Sequence, residues 1–210
     1  AVEQRRHLGD LVAAVLLDLA GGVLAVETRP TPPEVLAREQ SLLALLRDVV
    51  LPALGGRVLV GATLAVPGLV QTDNRTVAWA PNVSVAGDSL AGRLERALGE
   101  RCPVRVSNDA NCAAYAETHH GAATDSAHVL YLTGTVGIGA GIVEGGDLVR
   151  GAAGFAGEVG HMPVGDPAAV CGCGRRGCWE ASIGLHAMLD AVGMTELATP
   201  LDTARAVASA

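Results

Sequence analysis

The sequence predicts an α/β fold with mixed sheets, and three observations support this. Half of the 210 residues are apolar, which is enough to bury a substantial core. Short β-branched apolar runs alternate along the chain with segments that carry apolar residues at helical spacing. Glycine and proline turns separate these segments. Strands that alternate with helices are typical of α/β architectures rather than of all-α or all-β domains.

The first third of the chain predicts a hairpin, a long helix and a buried strand. Apolar runs at 11–17 and 23–26 flank a glycine turn, which indicates a β-hairpin. Thr31 stands before two prolines as a candidate N-cap. The helix that it would start ends at a glycine pair, 55–56. The β-branched run at 57–66 predicts a buried strand that a proline–glycine pair closes.

The rest of the chain continues the alternation. Helical spacing marks 89–98 and 110–119, and short strands are predicted at 104–106 and 128–132. A glycine-rich turn leads into a further strand within 133–143. Beyond a loop-like segment that reaches Glu180, the last two helices are predicted at 183–192 and 198–210.

Composition and charge exclude several classes of function for this segment. The formal net charge of −7 argues against a nucleic-acid surface, which needs a basic patch. The longest apolar stretch, 58–70, is too short and too interrupted to cross a bilayer. The first residues do not have the pattern of a signal peptide, so we expect a cytoplasmic protein with no membrane partner. In that setting the five cysteines favour metal binding over disulfides.

Four residues form a candidate zinc site: His161, Cys171, Cys173 and Cys178. Three thiolates and one imidazole make a closed tetrahedral set, and a closed set leaves no position for a reactive water. The predicted zinc is therefore structural. Glycines interspersed with the cysteines let the backbone turn around the ion. The alternatives are a redox pair or unrelated core thiols, but a Cys-x-Cys pair is geometrically poor for a disulfide.

Asp109 is a candidate catalytic base, because it follows a short strand and opens a helix. A carboxylate at the carboxyl end of a strand faces the crevice where α/β sheets bind ligands, and there it could accept a proton from a substrate hydroxyl. The alternative is a helix N-cap, a position that aspartate fills well. Local features leave both interpretations open.

The glycine-rich segment 133–141 and two glutamates, Glu158 and Glu180, are weaker candidates. Glycines let backbone N–H groups approach a phosphate, but glycines that alternate with apolar residues are also typical of a tightly packed strand. The glutamates could accept hydrogen bonds from the hydroxyls of a polyol if the cysteine loop folds back. Their alternative is ordinary surface charge.

Taken together, six segments resemble the ROK family of repressors, open reading frames and sugar kinases, within the actin-like ATPase and hexokinase superfamily. The matching segments agree in order and spacing, and they lie at 66–70, 80–82, 108–114, 131–135, 151–161 and 171–180. The last of these contains the three clustered cysteines and is the family's hallmark.

The resemblance implies a two-lobed, ribonuclease H-like fold with mixed sheets flanked by helices. The lobes are expected at 1–107 and 108–210, with the zinc-binding loop at 161–178 in the second. Because the family continues past this sequence, the second lobe is expected to be truncated. The family also suggests a homo-oligomer, a dimer or a tetramer, of which we expect the dimer.

The resemblance also implies roles for single residues. Asp109 would take the proton from the sugar hydroxyl that attacks the γ-phosphate. The expected sugar contacts are Gly68, Asn82, Asn108, Asp109, Glu158, His161 and Glu180. The expected phosphate turn contains Gly134, Thr135 and Gly137.

Two departures from the family pattern favour its regulators over its kinases. The kinases open with Asp-x-Gly-Gly-Thr on the first strand, and residues 1–7 contain no such turn. The kinases also favour a longer run of glycines than 133–141 provides. We therefore expect a sugar-sensing effector domain of a ROK transcriptional regulator with structural zinc. Such a protein would reach DNA only through an N-terminal domain that this sequence lacks.

The alternative function is an ATP-dependent, glucokinase-like hexose kinase with Asp109 as base and Mg-ATP as phosphate donor. A decayed remnant without function is a third possibility. Whether the chain is an enzyme is thus left open by the sequence, as is the identity of the sugar.

Overall fold

Strands and helices alternate along the chain in the computed structural model. The structure describes residues 11–30, 35–80, 89–134, 137–195, 197 and 200–209. Two compact units are formed: an N-terminal unit from Asp10–Asp109 and Ala152–Gly154, and a C-terminal unit that contains Ala110–Gly151 and Phe155–Ala210. None of the helices that the structure describes combines the length and the hydropathy needed to span a bilayer.

The N-terminal unit begins with the predicted hairpin. Strand β1 (Leu11–Leu17) pairs antiparallel with β2 (Val23–Pro30), which is four residues longer than its apolar run suggested. The Asp18 carboxylate stabilises the turn because its Oδ1 accepts hydrogen bonds from the N–H groups of Ala20 and Gly22, at 2.9 and 2.8 Å. The hairpin is thus confirmed, with its turn held by an aspartate as well as by glycines.

The long helix of the N-terminal unit is confirmed as well. Helix α1 (Val35–Leu45) passes through a π-helical turn, Leu46–Val50, into α2 (Leu51–Ala53). It ends at the glycine pair, where Gly55 and Gly56 have φ angles of 54° and 84°. The predicted cap, Thr31, lies outside the described residues.

The strand predicted at 57–66 is shorter than expected. Strand β3 spans Ala62–Val66 only, and it is followed by β4 (Leu69–Val70) and β5 (Val77–Trp79), which pair antiparallel. The strand that pairs in parallel with β3 begins at Val104, opposite Ala62. The apolar residues before Ala62 therefore have no strand partner among the described residues. Val58 is 83% exposed as a result.

Helix α3 (Leu90–Ala97) covers the parallel pair of β3 and β6 (Val104–Asn108). Its N-cap is Ser89, whose hydroxyl accepts a hydrogen bond from the N–H of Gly92 at 3.1 Å. The buried face of α3 carries Leu90 and Leu94 into the main core of the unit. This packing buries Val104 and Val106 of β6, and the strand leads directly to two candidate site residues, Asn108 and Asp109.

The C-terminal unit pairs one helix with a three-stranded antiparallel sheet. Helix α4 (Asp109–His120) is followed by β7 (Val129–Gly134), β8 (Ile138–Glu144) and β9 (Asp147–Leu148). A Cβ at Gly141 would lie 2.5 Å from both the Ala110 carbonyl oxygen and the Ala114 methyl group. This close approach supports the packed-strand interpretation for the glycine that β8 presents to α4.

The rest of the C-terminal unit holds the cysteine segment between short helices. A 3-10 turn at Val159–His161 precedes it, and α5 (Trp179–Ile183), α6 (Leu185–Val192) and α7 (Pro200–Ala208) follow. The single helix predicted at 183–192 was therefore wrong in one respect. Gly184 adopts an extended conformation, with φ −66° and ψ 168°, and this residue separates α5 from α6. Helix α5 starts inside the predicted loop.

Candidate metal centre

The cysteine segment is folded by backbone hydrogen bonds into a tight loop. The Cys171 N–H donates to the Arg175 carbonyl at 2.8 Å, and the Gly174 N–H donates back to the Cys171 carbonyl at 2.9 Å. Gly174 and Gly177 have φ angles of 86° and 74°, a region that side chains disfavour. The glycines therefore allow the two chain reversals that bring the three cysteines to one side of the loop.

The structure brings the four predicted ligands together. One ligand atom from each of His161, Cys171, Cys173 and Cys178 lies within 4.8 Å of all the others. The Cys171 Sγ is 3.7 Å from His161 Nδ1, and the Cys173 Sγ is 3.7 Å from the Cys178 Sγ. Metal–sulfur bonds of about 2.3 Å in a tetrahedron give sulfur–sulfur edges of about 3.75 Å. The donor set and its spacing therefore suit a tetrahedral metal ion.

Two of the thiols have displaced pKa values. Burial raises the pKa of Cys171 to about 12, and a hydrogen bond from the Arg175 backbone N–H lowers that of Cys173 to about 6. The shift favours the thiolate form of Cys173, which is the form that binds metal ions. A bound cation would supply the charge that the buried Cys171 needs to ionise, because metal coordination deprotonates a thiol outright. All five cysteines are free of disulfides.

Glu180, the second residue of α5, lies beside this centre. Its Oε1 is 3.8 Å from the Cys171 Sγ, and its Oε2 accepts a hydrogen bond from the Ile138 N–H at 2.9 Å. The carboxylate therefore connects the candidate ligand cluster to the first residue of β8. Glu158 immediately precedes the 3-10 turn that holds His161, whose N–H donates to the Glu158 carbonyl at 3.2 Å.

The predicted phosphate turn lies between β7 and β8. Gly134 is the last residue of β7, and Gly137 directly precedes β8, whereas Thr135 is outside the described residues. A Cβ at Gly137 would overlap Glu180 Oε2. The glycine at this position is thus explained by a close carboxylate, which the sequence alone did not suggest.

The N-terminal unit holds the remaining candidate residues. Asn108 ends β6, and its side-chain amide donates a hydrogen bond to the Gly68 carbonyl at 3.1 Å. Asp109 follows as the first residue of α4, where a carboxylate interacts favourably with the helix dipole. A Cβ at Gly68 would lie 2.5 Å from the Trp79 carbonyl oxygen, so packing alone requires this glycine. Asn82 lies outside the described residues.

Two contacts of the Ile138 backbone, near the cysteine cluster, were not anticipated from the sequence. Ile138 meets Glu180 through its N–H, and its carbonyl oxygen is so close to Gly160 that a Cβ there would overlap it. Gly137 and Gly160 indicate in the sequence that some atom approaches the backbone closely, but a glycine does not reveal which atom that is.

Solved structures of the same fold include two with different functions. A ROK-family glucokinase from Streptomyces griseus, solved with glucose and AMPPNP, has a TM-score of 0.72 at 32% identity and covers 87% of this chain and 56% of its own. A ROK-family transcriptional regulator, a homologue of the E. coli MLC protein, has a TM-score of 0.74 at 27% identity and covers 88% and 46%. The fold is therefore the mixed α/β, actin-like ATPase fold of ROK sugar kinases and regulators.

Sequence comparisons identify the family. The model of the ROK family matches residues 9–206, and the chain belongs to this family. The glucokinase of Streptomyces coelicolor is 32% identical over 192 residues, which are 91% of this chain and 59% of that protein. The xylose repressor of Bacillus subtilis is 35% identical over 138 residues, 66% of this chain and 35% of that protein. The chain thus spans between about a third and three fifths of the length of these two relatives.

Proposed function

We propose that the chain is the sugar-binding effector domain of a ROK transcriptional regulator and that a structural zinc ion supports its sugar site. The observation that carries the proposal is the four-ligand cluster with Glu180 beside it. Three thiolates and one imidazole are a closed set that zinc favours. The ion would hold the loop so that a carboxylate and the His161 ring have fixed positions relative to each other.

The ligand class follows from the polar groups near the cluster. Carboxylates such as Glu158 and Glu180 accept hydrogen bonds from hydroxyl groups, and a monosaccharide offers several hydroxyls at fixed angles. In the N-terminal unit, Asn108 and Asp109 would offer further polar groups to the same kind of ligand. Asn82 and Gly68 complete the proposed set of contacts. The relatives support a sugar, since one was solved with glucose and another is named as a xylose repressor.

A contact at the glycine turn favours the regulator over the kinase. The Ile138 N–H, the first amide of β8, already donates to the Glu180 carboxylate at 2.9 Å. A phosphate brought to this point would meet a negative charge instead of a free donor, and like charges at close range are unfavourable. Gly134 and Gly137 are therefore proposed to have a packing role here, and together with Thr135 they would bind phosphate only if the kinase alternative holds.

The assembly and the readout are part of the same proposal. Sugar binding would favour one geometry of a homodimer, and a ligand can shift such an equilibrium only by its different affinity for the two states. A DNA-binding domain elsewhere in the whole protein would respond to this geometry in the cytoplasm. The sugar therefore acts as an effector and is released unchanged.

Ligand binding by the chain tests the proposal directly. Purified chain is titrated with glucose, xylose and N-acetylmannosamine, the sugars named for its relatives, while thermal unfolding and heat of binding are recorded. A sugar at about a hundred times its dissociation constant adds about 2.7 kcal/mol to the stability of the folded state. For a chain of this size, that corresponds to a rise in Tm of about 5–10 °C. No shift with any sugar at millimolar concentration would contradict the proposal.

The kinase alternative is tested in parallel by coupling ADP release to an optical assay with Mg-ATP and the sugar that binds. The regulator predicts no sugar-dependent ADP release. If ADP is released and the release is lost in Asp109→Asn, then Asp109 acts as the base that accepts the hydroxyl proton. ATP would then be a cofactor and the function that we propose would be wrong.

A further inference from the structure

Ile138 is held at both of its peptide groups. Its N–H donates a hydrogen bond of 2.9 Å to Glu180 Oε2. Its carbonyl oxygen lies against Gly160, where a side chain would overlap it. Ile138 is the first residue of β8 and directly follows Gly137, so these two contacts fix the point at which the glycine turn ends and the strand begins.

Both contacts come from segments that carry metal ligands. Gly160 directly precedes His161, and Glu180 lies two residues after Cys178. The Trp179 N–H, between Cys178 and Glu180, donates to the Met162 carbonyl at 2.9 Å, next to His161. The His161 segment and the Cys178 segment, which both contact Ile138, are thus joined to each other by a backbone hydrogen bond and by the side chains of the ligand cluster.

We infer that the metal centre positions the start of β8, with Glu180 and Gly160 as the two connections that transmit its geometry to Ile138. This inference rests on the zinc proposed above. Without an ion, the described residues join the His161 segment and the Cys178 segment by hydrogen bonds such as Trp179 N–H to the Met162 carbonyl and Asp166 N–H to Ser182 Oγ. An ion would add a direct link between the ligand side chains. Glu180 is therefore a positioning residue for β8 in addition to its proposed role as a sugar contact.

The arrangement links the sugar site to the turn. Glu180 uses Oε2 for the Ile138 N–H, and its Oε1 points to the side of Cys171. A sugar hydroxyl that competes for Oε2 would release the Ile138 amide, whereas one that binds Oε1 would leave the turn in place. Whether the Ile138 amide stays hydrogen-bonded would then show which oxygen of the Glu180 carboxylate binds the sugar.

Hydrogen exchange at the Ile138 amide tests the inference in the zinc-loaded protein. In Glu180→Ala this amide should exchange roughly tenfold faster or more, because a hydrogen bond to a charged group is lost. In Glu180→Gln the amide oxygen can still accept the bond, so that most of the protection should return. Removal of zinc from the wild-type protein with a chelator should also accelerate exchange at Ile138.

A second pair of variants displaces the carboxylate without removing it. Gly137→Ala would place a methyl group where Glu180 Oε2 lies, whereas in Gly134→Ala the nearest atom is the Ile138 Cδ1 at 3.4 Å, an ordinary contact. Both variants add one methyl group to the same turn. Faster Ile138 exchange in Gly137→Ala but not in Gly134→Ala would support the role of the carboxylate.

The outcomes separate this inference from the proposed function. If the protein binds zinc and sugar but Ile138 exchange is unchanged in Glu180→Ala or after chelation, the inference is wrong and the proposed function stands. If metal analysis finds no zinc after incubation with the ion, the zinc proposal and this inference fail together.

Discussion

The metal centre gives the sharpest prediction, because its geometry determines what should be measured. The 3.7 Å separation of the Cys173 and Cys178 sulfur atoms matches the edge expected for a tetrahedral zinc–thiolate site. Dividing this edge by the tetrahedral ratio of about 1.63 gives a metal–sulfur distance of about 2.3 Å, the length of a zinc–thiolate bond. X-ray absorption of the loaded protein should therefore show three sulfur neighbours at about 2.3 Å and one nitrogen at about 2.0–2.1 Å.

Cys173→Ser is the perturbation that tests this geometry. It removes one thiolate from the cluster, while the loop backbone keeps its own hydrogen bonds. Loss of an outer-shell partner alone weakens metal binding about 10- to 100-fold, so removal of a direct ligand should weaken it by about a hundredfold or more. That factor corresponds to about 2.7 kcal/mol. Competition with a chromophoric chelator measures the change.

Cys112→Ser is the matched control. Cys112 lies in α4, is partly buried like Cys173, and is not one of the four clustered ligands. The control should keep one zinc per chain and an unchanged affinity. An equal loss in both variants, or no zinc in the wild-type protein, would refute the assignment of these four residues as ligands. Six oxygen neighbours in the absorption spectrum would refute it as well.

Three further predictions concern contacts within each of the two units, taken separately. Arg75 holds the pKa of Glu95 at about 2 instead of 4.5, so the stability that this ion pair contributes is complete above about pH 5 and is lost as the pH falls towards 2. The difference in urea midpoint between the wild type and Glu95→Gln should therefore shrink as the pH is lowered over that range. Ser89→Ala should lower the free energy of unfolding by about 1 kcal/mol, and Ser89→Thr by less, in the same urea titration. Gly141→Ala should lower the free energy of unfolding by about 1–3 kcal/mol, because the added methyl group has no space. The control Gly61→Ala, whose added methyl group would meet nothing within 4 Å, should leave the urea midpoint nearly unchanged. Equal midpoints in the two variants would contradict the tight packing of β8 on α4.

The features that the sequence predicted well are those that depend on neighbouring residues. The β1–β2 hairpin follows from two apolar runs and their turn, and the end of the long helix follows from Gly55 and Gly56. The grouping of the four candidate ligands could be anticipated because chemistry limits which residue types hold a soft ion and because three of them lie within eight residues. In each case a short segment contains the information.

The features that the sequence did not predict depend on partners far along the chain. The strand expected at 57–66 was too long because its length is set by where β6 begins, 42 residues after Ala62. The contact between Glu180 and Ile138 also joins residues 42 positions apart. Residue type allows a glutamate many partners, so only the fold determines which one it meets. The roles of all the proposed site residues, Asn82, Asp109 and Thr135 among them, remain predictions.

The charge near the proposed zinc argues for a neutral ligand. A divalent ion with three thiolates and one neutral imidazole has a net charge of −1, and the Glu180 carboxylate adds a second negative charge 3.8 Å from one of the sulfur atoms. Arg175 offsets part of this negative charge, chiefly at Cys173, to which its side chain is hydrogen-bonded. Hydroxyl groups can donate hydrogen bonds into such a region at no electrostatic cost, whereas a phosphate would be repelled. Inorganic phosphate and ATP should therefore bind more weakly in the zinc-loaded wild type than in Glu180→Gln, while any effect of this change on sugar affinity should come from the lost acceptor alone. If ATP bound tightly to the wild type and the variant did not improve it, the electrostatic case against the kinase would fail.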